Sequence, residues 1–140
     1  TVELAFVLNP RLDETELLAT ICDELHVSYD RENPTLKELV DQLNSHLLDA
    51  HARGRQPVLM IDEAQNLTPL EVKTAVTRVG AGSKIVVTGD PHQIDNPYVD
   101  FHSNGLISLV DRFRESRLSA HITMVKGERS ELAETAANLL

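Results

Sequence analysis

The hydrophobic pattern alternates between short continuous runs and stripes at helical spacing. Residues 2–8 form a β-rich apolar run closed by Asn9 and Pro10. Asp13 followed by Glu16 has the spacing of a capping box, and Leu17, Leu18, Ile21 and Leu25 fall on one helical face. A polar break over residues 29–34 separates this helix from a second. Thr35 and Glu38 repeat the box there, and Leu36, Leu39, Val40, Leu43, Leu47 and Leu48 supply the apolar stripe. Gly54 suits a left-handed cap at its end. Residues 58–61 are a second apolar run, and Thr68-Pro69-Leu70-Glu71 is a full helix start with cap, first-turn proline and returning glutamate. Val72, Val76 and Val79 form that helix's apolar side before Gly80-Ala81-Gly82 stops it. A third run over residues 84–88 breaks at Gly89. A polar loop then leads to a helix with Leu106, Leu109, Val110 and Phe113. The pattern closes with a predicted strand over residues 120–125 and a predicted helix over residues 130–140.

Strands alternating with helices predict an α/β fold: a three-layer sandwich around a mainly parallel sheet, with both faces covered. No repeat, low-complexity tract or linker divides the chain, so residues 1–140 read as a single domain. The 140 residues suffice for a core, which must be aliphatic because aromatics make up only 4% and Trp is absent. A formal net charge of −9 opposes general binding of nucleic-acid backbones, which depends on Lys and Arg. Cys22 is the single cysteine, so neither an intrachain disulfide nor a cysteine metal cluster is available. No membrane-length apolar run or signal-peptide pattern is visible, and the cytoplasm is the expected compartment. Thr1 is not an initiator Met, so the sequence reads as a fragment or a processed form.

Candidate chemistry gathers where the apolar runs end. The second run delivers Asp62 and Glu63, followed by Ala64, Gln65 and Asn66. Ligands of parallel sheets collect at the carboxyl ends of strands, and adjacent residues there point to different sides. One carboxylate can therefore face a magnesium ion while its neighbour faces a water. Gln65 is placed to orient that water or to sense a terminal phosphate. The third run ends in Thr88, Gly89, Asp90 and Gln93, which would lie beside Asp62 and Glu63 if the strands are neighbours. Arg129 is a further candidate for a phosphate contact, or for an arginine finger across a subunit boundary in a homo-oligomer. Arg112, Arg114 and Arg117 read as a solvated helix end, and His46, His51 and Cys22 as structural residues. No G-x-x-x-x-G-K-[ST] phosphate loop occurs in the sequence.

These segments carry a family resemblance. Residues 62–69 (DEAQNLTP), 71–74 (EVKT), 88–95 (TGDPHQID), 103–106 (SNGL) and 127–132 (GERSEL) resemble the PhoH-like family of P-loop ATPases. Residues 6–12 (FVLNPRL), 16–25 (ELLATICDEL) and 57–66 (PVLMIDEAQN) resemble the secretion ATPases of the ExeA/GspA type. Both families share the Asp-Glu-Ala-Gln-Asn box, and the resemblance switches between residues 62 and 70, as in a chimera or a fragment. It implies a P-loop NTPase-like fold missing the strand that bears the phosphate loop. In the Walker B role, Asp62 would hold Mg²⁺ and Glu63 would activate the attacking water. Thr88, Asp90 and Gln93 would face the γ-phosphate, Gln65 would take part in nucleotide binding, and Arg129 would contact phosphate. The expected function is ATP binding and hydrolysis with Mg²⁺ as cofactor. The alternative is a non-catalytic relic acting as an interaction module. An RNA-dependent helicase module is a third reading, opposed by the acidic charge and scarce aromatics.

Overall fold

The computed structural model describes residues 2–8, 12–80 and 82–125. In chain order these form β1 (Val2–Val7), α1 (Glu14–Glu24), α2 (Leu36–Ala52), β2 (Gln56–Ile61), a 3₁₀ turn (Ala64–Asn66), α3 (Pro69–Arg78), β3 (Lys84–Val87) and α4 (Gly105–Phe113). The strands make one parallel sheet in the order β1-β2-β3. Register pairs Phe6 with Met60 and Met60 with Val86, so all three carboxyl ends come to one edge.

The helix boundaries follow from the capping residues. Asp13 accepts the Glu16 N–H at 2.8 Å while the Glu16 carboxylate accepts the Asp13 N–H at 3.0 Å. Thr68 and Glu71 repeat this reciprocal pair at the start of α3. Each box satisfies N–H groups that have no partner inside the helix. Gly54, at φ +67°, ends α2 in the left-handed conformation, and the Arg55 N–H then bonds back to Ala50 O at 2.9 Å. His26 plays the same part after α1 with φ 57°, at the cost of placing a side chain where glycine is favoured.

The core lies on one face of the sheet. Ala5, Val7, Leu59 and Ile61 point into a cluster with Leu17, Leu18 and Ile21 of α1, Leu39 and Leu43 of α2, and Val72 of α3. Leu106 and Leu109 of α4 pack against the same cluster. The strand order advances in one direction, and right-handed crossovers made in one direction leave their helices on the same side. The opposite face carries Val2 (62% exposed), Leu4 (52%) and Val86 (40%). The α/β class and parallel sheet agree with the sequence pattern, but among the described residues helices cover one face rather than both. The predicted strand over residues 120–125 also does not form: the segment pairs with no strand and is exposed throughout. Its apolar run satisfied the sequence criterion for a strand, which is blind to whether an edge is available to pair with. The predicted helix over residues 130–140 lies outside the described residues. No helix among the described residues is long and apolar enough to cross a membrane.

Candidate functional site

β2 ends at Ile61 and β3 at Val87, side by side, and the ladder continues one step beyond both. The Asp62 N–H bonds to Val7 O at 2.9 Å, and the Thr88 N–H to Ile61 O at 2.9 Å. Asp62 and Thr88 are thereby fixed by backbone on adjacent strands, and the Thr88 hydroxyl donates to Asp62 Oδ1 at 2.5 Å. The same oxygen accepts the Glu63 N–H at 2.9 Å. Oδ1 is therefore held by two donors, and Oδ2 has no hydrogen-bond partner among the described residues. A carboxylate oriented through one oxygen with the other open suits a hydrated divalent cation.

Glu63 occupies the left-handed region at φ 54°. A non-glycine residue there costs about 1–2 kcal/mol, so the surrounding bonds must impose it. They do so by turning the chain sharply off β2: the Ala64 N–H reaches Thr88 O at 3.0 Å, and the Glu63 side chain is left exposed beside Asp62. Strained residues of this kind concentrate at functional sites.

The loop after β3 is shaped by the 3₁₀ turn after β2. Gln65 is 4% exposed; its Oε1 accepts the Asp90 N–H at 3.1 Å and its Nε2 donates to Gln93 O at 3.0 Å. Both ends of its amide are engaged by backbone, so the structure places Gln65 as a clamp on the loop and not at a water-facing position. Gly89 packs against it. A Cβ at Gly89 would fall well inside contact with Gln65 Oε1, 3.1 Å from Leu106 Cδ2 and 3.2 Å from Ala64 N. Within the loop, Asp90 Oδ2 accepts from Gln93 Nε2 at 2.6 Å and Asp90 Oδ1 from the His92 N–H at 2.9 Å.

The described geometry thus brings together Asp62, Glu63, Gln65, Thr88, Asp90 and Gln93 at one sheet edge. Arg129 lies outside the described residues. The sequence reading gave no role to Asn66, which is 1% exposed and binds the same loop. Its signal was the amide that closes the strand-end box, visible in the sequence but without a partner until Asp95 and Asn96 are folded against it. Among the described residues no three His, Cys, Asp or Glu side chains cluster as a metal cage. Elsewhere, His46 bonds Glu3 at 2.9 Å and Cys22 is buried, as structural residues. Arg114 pairs with Asp111 at 3.2 Å on the exposed end of α4.

A parallel sheet with acidic and polar groups at adjacent carboxyl ends is an α/β arrangement consistent with the P-loop NTPase-like class. The comparisons with known proteins give the family: the model for "PhoH-like protein" matches residues 12–139. The chain belongs to the PhoH-like family, a P-loop family of nucleotide-binding ATPases. It is similar to Protein PhoH2 of Bacillus subtilis (strain 168), 46% identical over 126 residues, covering 86% of this chain and 28% of the relative. It is also similar to General secretion pathway protein A of Aeromonas hydrophila, 41% identical over 95 residues, 64% of this chain and 17% of that protein. The PhoH-like protein of B. subtilis matches over 51 residues at 49% identity, 34% of this chain and 16% of that protein. The chain therefore spans under a third of the length of these curated relatives. The family match reaches upstream of Asp62 to residue 12, further than the quoted motifs carried it. No solved structure matches.

Proposed function

We propose that this domain carries the metal and terminal-phosphate side of a Mg-ATP hydrolysing site. The observation that carries the reading is the bond between Thr88 and Asp62, which locks the ends of two adjacent parallel strands into one polar cluster. Bound Mg²⁺ would neutralise charge on the phosphate oxygens. The residues present fit that ion: Asp62 Oδ2 is open to a magnesium-bound water while Oδ1 is held by Thr88 and Glu63. They do not include a phosphate-cradling loop, so the reading concerns one side of the site.

In this reading Glu63, exposed at the turn, accepts a proton from the attacking water. Asp90 and Gln93, bonded to each other, face the γ-phosphate, and Gln65 holds their loop in place. Arg129 would add a positive charge to the same phosphate.

The test is calorimetric titration of the chain with Mg-ATP, in parallel with Asp62→Ala and with EDTA present. Binding that needs Mg²⁺ and weakens about tenfold or more in the variant supports the reading, since hydrogen bonds and contacts to charged groups contribute about 1.5–3 kcal/mol. A folded wild type that takes up no nucleotide rejects catalysis by this chain and favours the alternative, an interaction module.

A further inference from the structure

Two consecutive buried amides grip the whole segment from Asp90 to Asn96. Gln65 takes its first half through Asp90 and Gln93. Asn66 takes its second half: its Oδ1 accepts the Asp95 N–H at 2.8 Å and the Asn96 N–H at 3.1 Å, and its backbone O accepts Asn96 Nδ2 at 2.7 Å. Asn96 Oδ1 in turn accepts the Tyr98 N–H at 3.0 Å, extending the anchoring along the loop. The 3₁₀ turn that carries both amides begins directly after Glu63, and its Asn66 N–H bonds to Glu63 O at 2.9 Å. A loop with little regular structure of its own is therefore referenced to the end of β2.

We infer that Asn66 is a positioning residue that ties the Asp95–Asn96 end of the loop carrying Asp90 and Gln93 to the end of β2 before any ligand arrives. It acts through backbone N–H groups and touches none of the candidate phosphate- or metal-facing side chains. A buried acceptor that satisfies two adjacent N–H groups is costly to remove, because both donors lose their partner together. The amide Nδ2 has no hydrogen-bond partner among the described residues, so the side chain's share of the anchoring runs through Oδ1 alone, beside the backbone bond from Asn96 Nδ2 to Asn66 O. Preassembly of this kind removes the ordering cost that a mobile loop would impose on binding. Its consequence for catalysis rests on the nucleotide reading above; the anchoring itself does not.

The experiment is amide hydrogen exchange by NMR on the whole chain without ligand, for wild type, Asn66→Ala and Asn66→Asp, followed by Mg-ATP titration of each. In wild type the Asp95 and Asn96 amides exchange slowly. Asn66→Ala should speed both by about tenfold or more, while the Asp62 amide, bonded to Val7 O, keeps its rate and reports that the sheet is intact. Asn66→Asp keeps the acceptor oxygen and should restore protection to within about twofold of wild type, a rescue that a residue needed only to fill space would not show. Where wild type binds Mg-ATP, Asn66→Ala weakens it about tenfold and Asn66→Asp does not. If Asn66→Ala does not fold, Asn96→Ala removes the Nδ2 bond to Asn66 O and should raise Asp95 exchange severalfold. Unchanged Asp95 and Asn96 exchange in a folded Asn66→Ala or Asn96→Ala, or no rescue by Asn66→Asp, overturns the inference. A wild type with protected loop amides and no nucleotide binding overturns the nucleotide reading and leaves the anchoring standing.

Discussion

Gly89→Ala should damage the candidate site through Gln65 rather than through backbone strain. No positive φ accompanies Gly89, so the requirement for glycine there is one of space. The added methyl would collide with Gln65 Oε1, with Leu106 Cδ2 at 3.1 Å and Ala64 N at 3.2 Å closing the other directions. Ala64 N belongs to the turn and is tied to Thr88 O, so the Gln65 side chain must yield. Its displacement breaks the bonds to the Asp90 N–H and to Gln93 O. Two such bonds contribute about 0.5–1.5 kcal/mol each, and the stiffer unfolded chain offsets about 0.4–1 kcal/mol. The net loss is about 1–2 kcal/mol, a fall of about 3–8 °C in Tm for a domain of this size.

Urea denaturation of wild type, Gly89→Ala, Gln65→Ala and the double variant forms a thermodynamic cycle that isolates the clash. Gln65→Ala loses the same two bonds but leaves room for the methyl. The double variant should therefore be little worse than Gln65→Ala, with a departure from additivity of about 1–2 kcal/mol. Additivity to within about 0.5 kcal/mol, or a Gly89→Ala protein as stable as wild type, would refute the packing argument.

Further outcomes follow from other parts of the fold. Gly105→Ala would press a methyl onto Val72 Cγ2, 3.0 Å from Thr68 O and 3.1 Å from Leu67 Cβ, where backbone and a β-branched side chain cannot move aside; thermal denaturation should show a loss of about 1–3 kcal/mol. Burial pushes the Cys22 thiol up to about 11, so native protein should react with a thiol reagent at pH 8 far more slowly than denatured protein; equal rates would contradict the burial. The Arg55 guanidinium beside Glu3, with His46 on its other oxygen, holds the Glu3 carboxyl below the usual carboxylate range despite its burial. A depressed folded pKa contributes stability that is present above the unfolded value near 4.5 and lost as pH falls through the folded one. Glu3→Gln should accordingly flatten the stability curve below about pH 5, as read by denaturant titration across pH 2–7.

Much of this protein is written in local sequence. Asp13 with Glu16 and Thr68 with Glu71 set helix starts that the structure reproduces, because a capping box is made from residues three apart and needs no distant partner. The apolar runs before Asp62 and Thr88 marked strand ends, and the structure ends β2 and β3 there. Tertiary structure decided what those runs pair with. Residues 120–125 have a strand's composition and no strand to join, and the outer face of β1–β3 is apolar yet bare among the described residues. It also decided the use of the two amides: Gln65 looks like a site group in one dimension and Asn66 carries no assigned role, but the loop beyond β3 folds back and bonds to both. Hydrogen bonds between residues 25 to 30 positions apart are set by which strands become neighbours, and no local pattern of residues encodes that.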